Sequence, residues 1–415
     1  MKLIYQKIKK RLGKIAGRFI THKIRYRPQS IYKLNDNLAK ATSQNEVILY
    51  PIYPALRTTL DISEELFEAC SSYWKPQREV TTDYVVVEAP HGRIYTDNES
   101  CVAIISKYNH LIEHVSLSLK DGKVTEAGYS TVFEQRYFTT PTKFNGTVFS
   151  LLTGGAGLNN ISHWFVDVLP RLHLLKASGL YDKVDWFLVP SLRYDYQRET
   201  LRLLNIPEER LIASDKCPHL TADCIIASTA PRGNHTLVPH WLCDYIQQSF
   251  VPLAGPDSNG QQENVKLYVS RSDSKLRQVE NEAELVEALK PYGYRSVVLS
   301  QLSVLERIKL FSRASSVVSA TGAGLVSMMF CKPGTQVIEL FHEGFVIEPF
   351  YDIATKMGMD YSYIICKSDS LVKDAMQGQH ENLKVDLAEL VDLIRAEKKS
   401  KQQTAQGQQR KLNVS

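Results

Sequence analysis

SSVVSATGAGLVSMMFCKPGTQVIEL, residues 315–340, decides the fold class. The β-rich run SSVVS meets Thr321, Gly322, Ala323 and Gly324, an apolar helical stretch follows over 324–331, and a Pro-Gly turn leads into a second apolar strand, QVIEL. Strands that are apolar on both faces and joined through helices belong to a parallel sheet covered on both sides. At such a strand-to-helix turn the glycines leave backbone amides open to an anion such as phosphate. Glu339, seventeen residues after Gly322, is expected at the end of the following strand, where an acid can take both hydroxyls of a ribose.

The alternation extends in both directions. KLYVS, a helix over 281–289, RSVVL and a helix over 303–313 precede this stretch; a helix near 348–357, YSYII and an amphipathic helix near 383–395 follow. A similar series lies upstream: TVFSLL, a helix over about 160–176, DWFLV, a helix around 195–204, and CIIAS. Before it come the shorter pieces DYVVVEA, SCVAIIS and HVSLSL, which predict a small antiparallel sheet. Residues 28–75 are unreadable apart from a helix near 63–74. VPLAGPDSNGQQEN has the Pro, Gly and polar content of a linker. The expected layout is a basic helix over 1–27, an α/β domain over 28–250 with its β-rich part at about 83–120, a linker over 251–264, an α/β domain over 265–397, and a disordered tail over 398–415.

The totals agree with two domains. The chain has 415 residues and 43% hydrophobic content, enough for two cores. Its net charge of +5 is uneven, because Lys2, Lys7, Lys9, Lys10, Arg11, Lys14, Arg18, Lys23, Arg25 and Arg27 stand in a segment without an acid. Without these ten, 40 basic residues face 45 acids, and the mildly acidic body argues against nucleic acid as a partner. In the basic segment Ile4, Ile8, Leu12, Ile15, Ala16, Phe19 and Ile20 recur at helical spacing, the pattern of a helix lying on an anionic membrane surface or docked on its own domain. The seven cysteines form no CxxC pair, which predicts idle thiols and neither a zinc site nor a disulfide framework. No run of about eighteen apolar residues occurs and no secretory signal is visible, so a cytoplasmic location is expected.

Three constellations can carry chemistry. In NNISHWFVDVLPRL, residues 159–172, His163 and Asp167 lie four apart and share a helical face, suited to taking a proton from a hydroxyl or simply to holding the helix. Pro170 is expected to kink or end that helix. The preceding TGGAGL turn, with Gly154, Gly155 and Gly157, fits an anion cradle or a tight turn equally. In YVSRSDSKLRQVENEAEL, residues 268–285, Arg271, Lys275 and Arg277 place three cations beyond a strand end, where a diphosphate needs charge-assisted donors. Asn281 and the acids after it read as a helix start. The third constellation is the Thr321, Gly322, Ala323, Gly324 turn with Glu339; a dinucleotide would fit it too, although Ser327 stands where a third glycine is usual.

In this order HWFVDVLPRL, YVSR with the later Arg277 and NE, and GAGL with VIEL resemble glycosyltransferase family 61, whose members include eukaryotic xylosyl- and N-acetylglucosaminyltransferases and many bacterial capsule-type enzymes. The resemblance covers about residues 84–366. It implies a GT-B fold of two Rossmann-like domains facing a cleft, and an inverting transfer from a nucleotide sugar, often a UDP-sugar, without a cofactor or obligatory metal. It implies donor contacts from Arg271, Lys275, Arg277, Thr321, Gly322, Ala323, Gly324 and Glu339. Gly155, Asn160, Trp164 and Arg171 are expected on the acceptor side, and His163 or Asp167 as the base, with His163 preferred. One departure stands out: the family usually has His before GAGL, and this chain has Thr321. The implied setting is surface-polysaccharide synthesis on a glycan or lipid-linked glycan acceptor at the inner face of the cell membrane. An NAD-type or other nucleotide-sugar-modifying enzyme, or a non-catalytic glycan-binding relative, is the alternative reading.

Overall fold

The structure is a computed structural model and describes residues 22–33, 46–71, 75–120, 123–255, 264–367 and 372–396. Most of the expected basic helix, the tail, residues 72–74 and the centre of the expected linker lie outside these residues. No helix among the described residues is long and apolar enough to cross a membrane.

The chain divides into two compact units, Met1–Thr59 with Glu79–Tyr245, and Leu60–Arg78 with Ile246–Ser415. The passage through Leu60–Arg78 departs from the expected continuous domain over 28–250. The helix Glu64–Ala69 within it is capped by Ser63, whose hydroxyl accepts from the Leu66 amide. Ser71 and Val346 exchange two hydrogen bonds of 2.9 and 3.2 Å, and the Tyr351 hydroxyl donates to the Asp61 carbonyl at 2.6 Å, so side-chain and main-chain bonds tie the segment into the second unit.

The first unit is built on a 12-stranded sheet of β1 Ser30–Tyr32, β2 Ile48–Thr59, β3 Glu79–Pro90, β4 Arg93–Thr96, β5 Cys101–Ile105, β6 His110–Ile112, β7 Leu117–Lys120, β8 Lys123–Val124, β9 Thr142–Ser150, β10 Trp186–Val189, β11 Leu211–Ala213 and β12 His219–Ser228. Its parallel part has the order β12-β9-β10-β11. The antiparallel strands are not a separate sheet: β4 pairs with the start of β12 at Thr221, and β3 with its end at Cys224 to Ser228. Strand β12 is therefore hydrogen-bonded along both edges, and Ile225, Ile226 and Ala227 are buried. The strand β3 shows the same change of surroundings in its burial, which alternates through Tyr84 and then becomes continuous over Val85, Val86 and Val87 where β12 joins it. Residues 28–75, unreadable in sequence, supply β1 and the long edge strand β2, whose register is broken by irregularities near Tyr53.

The second unit carries a fully parallel five-stranded sheet of β13 Val265–Ser270, β14 Tyr294–Val298, β15 Ala314–Ala320, β16 Gln336–His342 and β17 Asp360–Cys366, in the order β14-β13-β15-β16-β17. Every residue of β16 is buried, as expected of a strand paired on both edges and covered on both faces. The helix Val304–Phe311 starts at a capping box, in which Ser303 accepts from the Glu306 amide and the Glu306 carboxylate accepts from that of Ser303. Asn281 does not cap the helix Glu282–Leu289; its amide side chain brackets Val385 with bonds of 2.9 and 3.0 Å, which seats the C-terminal helix over 387–396 against the core through Leu390 and Ile394. This strand order reverses direction between β13 and β15, and ligands of such sheets bind beyond the carboxyl ends of the strands at that point.

Candidate functional site

Two polar clusters stand beyond carboxyl ends of parallel strands, one in each unit. In the first unit the chain leaves β9, passes the TGGAGL turn, and starts a helix at Asn160, whose side chain accepts from the amides of Ser162 and His163. The single helix expected over 160–176 is broken into Ile161–His163, a π-helical turn Trp164–Val168, and Arg171–Ala177 after Pro170. A π turn inserts an extra residue and rotates the side chains that follow it.

His163 and Asp167 meet as their spacing predicted, with Nδ1 to Oδ2 at 2.6 Å. The third member was not foreseen. Arg232, in the loop after β12, grips the Asp167 carboxylate with Nε at 2.8 Å from Oδ1 and Nη2 at 2.8 Å from Oδ2. Gly233 turns that loop with φ of +58°, and a Cβ there would lie 2.6 Å from Thr82 Oγ1, so the turn needs glycine. The signal available in sequence was an Arg-Gly turn directly after a strand of a parallel sheet.

Asp167 is buried, whereas the His163 side chain is 37% exposed. Burial by itself would raise the Asp167 carboxyl; the Arg232 charge and the hydrogen bonds from His163 and Arg232 outweigh it and hold the group well below the usual carboxylate range. With Nδ1 directed at Asp167, the imidazole is oriented so that Nε2 is its remaining proton-accepting nitrogen.

The residues expected on the acceptor side take other parts. Trp164 is fully buried and donates to Thr200 Oγ1 at 2.8 Å. Arg171 is also buried, donating to the carbonyls of Asp167 and Ser228, with its guanidinium pushed down to about 10 by desolvation. Their contacts fasten the helix to its neighbours and leave no surface for an acceptor. The Gly155 amide donates to the Glu99 carbonyl at 2.9 Å, and a Cβ on Gly157 would approach Thr153 to 2.3 Å. The turn is thus shaped by packing, with Asn160 serving as the helix cap.

In the second unit Arg271 follows β13 directly. Its Nε donates to the carbonyls of Leu276 and Arg277, and its Nη2 to Ser274 and Leu276, which holds Nη1 against the backbone of Gly322 beyond β15. A Cβ at Gly322 would come within 1.7 Å of Arg271 Nη1. The backbone of Gly322 is extended, so glycine is required here by the guanidinium and not by a left-handed conformation. The segment after it, Ala323–Phe330, is a 3-10 helix where an α-helix was expected. Its first bond runs from the Leu325 amide to the Gly322 carbonyl, which leaves the amides of Gly322, Ala323 and Gly324 ahead of the ladder. Lys275 is exposed in the same loop.

Arg277, Thr321 and Glu339 depart from the expected donor contacts. Arg277 has φ of +55°, is buried, and donates to the Thr321 and Gln379 carbonyls, with its guanidinium pushed down to about 10 by burial and by the Arg271 charge. Thr321 and Glu339 are fully buried. Glu339 is not at a strand end but in the middle of β16, beside Ser319 of β15 and Tyr363 of β17, and it accepts from the Tyr361 hydroxyl at 2.7 Å. Its side chain is fully buried and engaged by Tyr361. Burial raises its carboxyl to about 7, against Thr321, Tyr361 and Arg277, which lower it.

The comparisons with known proteins find glycosyltransferases by name. Residues 161–338 match the family described as Glycosyltransferase 61. The chain is similar to proteins named protein O-linked-mannose beta-1,4-N-acetylglucosaminyltransferase 2: 34% identical over 113 residues in Tetraodon nigroviridis, covering 25% of this chain and 19% of the relative. In Danio rerio it is 37% over 94 residues, 21% and 16%, and in Xenopus laevis 33% over 114 residues, 26% and 19%. The match thus spans less than a fifth of these relatives' length.

The buried carboxyl of Glu339 predicts a pH dependence of stability. Its folded value, about 7, lies above the ordinary 4.5, so the folded state holds this proton more tightly. The associated stability is fully present below pH 4.5 and is lost as pH rises through 7, to a total of roughly 3 kcal/mol. Urea unfolding from pH 5 to 8 should show Glu339→Gln losing less stability over this range than the unchanged protein. Equal losses would mean that the carboxyl does not titrate there.

Proposed function

We propose that this protein is an inverting glycosyltransferase of the GT-B class, with acceptor chemistry on the first unit and donor chemistry on the second. The observation that carries the reading is the His163, Asp167, Arg232 relay. An inverting transfer needs one group to take the proton of the acceptor hydroxyl as it attacks the anomeric carbon from the side opposite the leaving diphosphate. The bond between that oxygen and the anomeric carbon forms as the bond to the diphosphate breaks, and the proton moves to the base. His163 fits this role: it is partly exposed, it is oriented through Nδ1, and Nε2 is its accepting nitrogen. Asp167 is a poor base because the Arg232 pair stabilises its charged form, so it serves as the positioning group. The relatives' name specifies a β-linked product, which is the inverted outcome from an α-linked nucleotide sugar.

The donor, a nucleotide sugar and by preference a UDP-sugar, is assigned to the turn where Arg271 Nη1 rests against Gly322 and the amides of Gly322, Ala323 and Gly324 precede the helical ladder, with Lys275 in the adjoining loop. Arg277, Thr321 and Glu339 support that turn from beneath. Charge neutralisation by Arg271 and Lys275 is the means proposed for the departing diphosphate, without a metal. The basic segment is proposed to hold the enzyme at an anionic membrane surface, on the cytoplasmic face, where a lipid-linked acceptor for surface polysaccharide would lie.

His163→Ala should lower turnover by roughly two to four orders of magnitude with donor affinity kept, and Asp167→Asn should cost less. Near-normal turnover of a folded His163→Ala would place the base elsewhere. In calorimetry Arg271→Ala should weaken binding of UDP by about 1 to 3 kcal/mol, and Gly322→Ala should do the same by displacing the guanidinium. Normal affinity in both variants would remove the donor from this turn. Deleting residues 1–21, while keeping the paired strand β1, should abolish sedimentation with phosphatidylserine vesicles and leave donor hydrolysis intact; unchanged sedimentation would end the membrane proposal.

A further inference from the structure

We infer that Tyr194 is the platform on which the acceptor sugar ring stacks beside the base; this rests on the glycosyltransferase reading above. Trp164, the residue directly after His163, is fully buried and cannot touch a sugar. It does carry two rings outward. Tyr196 meets Trp164 edge-on, with ring centroids 6.1 Å apart and planes at 75°. Tyr194 lies parallel to Tyr196 at 5.6 Å and 13°, and is 44% exposed.

The ring is held in place by a dense set of bonds. Gln197 is fully buried, and its Oε1 accepts from the amides of Arg193 and Tyr194 and from Ser191 Oγ. Its Nε2 donates to the Leu158 carbonyl at 3.2 Å, and Ser191 Oγ lies 2.8 Å from that same carbonyl. Leu158 belongs to the turn that leads into the His163 helix, so the tyrosine loop and the helix of the base are joined through one side chain. On the other side Arg193 pairs with Asp215 beyond β11 at 2.6 Å. The helix Asp195–Leu203 that begins here also accepts the Trp164 indole proton at Thr200.

The position and the chemistry agree. Strands β9 and β10 are parallel neighbours, and the His163 turn and the Tyr194 loop follow their carboxyl ends. One face of a pyranose presents C–H groups with slight positive charge, which settle against the negative face of an aromatic ring. A tyrosine with few free torsions, already stacked from behind, offers that face at small entropic cost. The occupant is the acceptor because the base must reach an acceptor hydroxyl, and the nucleotide groups are assigned to the other unit.

The test measures transfer from UDP-sugars to a panel of p-nitrophenyl glycosides. Tyr194→Ala and Tyr194→Leu should each raise the acceptor KM about tenfold, the worth of one ring stack, with kcat and donor KM within about twofold. Tyr194→Trp should stay near the unchanged enzyme. The leucine variant keeps apolar bulk over Tyr196, so it covers the case in which alanine unfolds the loop; a leucine variant with unchanged acceptor KM overturns the proposal. If the unchanged protein neither transfers nor hydrolyses any UDP-sugar, the glycosyltransferase reading fails by itself. Saturation-transfer NMR with the same glycosides then decides the platform: signals lost in Tyr194→Leu support it, and equal signals in both proteins overturn it.

Discussion

The parallel pairing of β12 with β9 brings the carboxyl ends of two strands, separated by most of an α/β domain in sequence, to one edge of the first unit. One strand delivers the helix of His163 and Asp167, the other the loop of Arg232. The pairing is secure because β12 is also bonded along its second edge to β3 and β4, which leaves it no freedom to slip. A one-residue slip would exchange Ile225 and Ala227 with Ile226 and Ser228 across the two covered faces and break the packing of both. The register of this strand thus sets the geometry of His163, Asp167 and Arg232.

Placing Asp167 under that edge has an electrostatic consequence. An isolated buried carboxylate would take up a proton, and desolvation acts in that direction here. The bidentate guanidinium of Arg232 reverses the balance and keeps the carboxylate ionised. Removing one partner from such a buried pair typically costs about 3 to 5 kcal/mol, whereas the net contribution of the intact pair is small. The pair is therefore better understood as a device of position than of stability. It fixes the acceptor for the Nδ1 proton of His163, and so determines which imidazole nitrogen faces outward.

The second unit uses the same principle with opposite charges. Arg271 is folded back on the carbonyls of its own loop, so that its Nη1 rests against Gly322. Beneath it Arg277 donates to the Thr321 carbonyl, and Glu339 sits among Thr321, Tyr361 and Arg277. Thr321 is thus a buried threonine whose main chain anchors an arginine. Position and shape of the turn are supported by the buried groups Arg277, Thr321 and Glu339.

Local pattern was enough to read the alternation of strands and helices, the fully parallel sheet of the second unit, and the His163 to Asp167 contact, because each depends on residues within a few turns of one another. The expected strands DYVVVEA, CIIAS, KLYVS, SSVVS, QVIEL and YSYII all fall within strands of the structure, and DWFLV does so from Trp186 on. Arg232 could not be read in this way: it lies 65 residues from Asp167, and only the β12 to β9 pairing joins them. The burial of Glu339, Trp164 and Arg171 was equally hidden, since a polar or aromatic residue beside a motif has the same spelling whether it faces solvent or a neighbouring strand. The passage of Leu60–Arg78 into the second unit follows from bonds to Val346 and Tyr351, more than 270 residues away in the chain. Sequence determined which short segments become strands and helices and which ionisable groups share a face, through periodicity; tertiary structure alone decided which groups are desolvated and which are paired, because burial and charge pairing are set by residues distant in the chain.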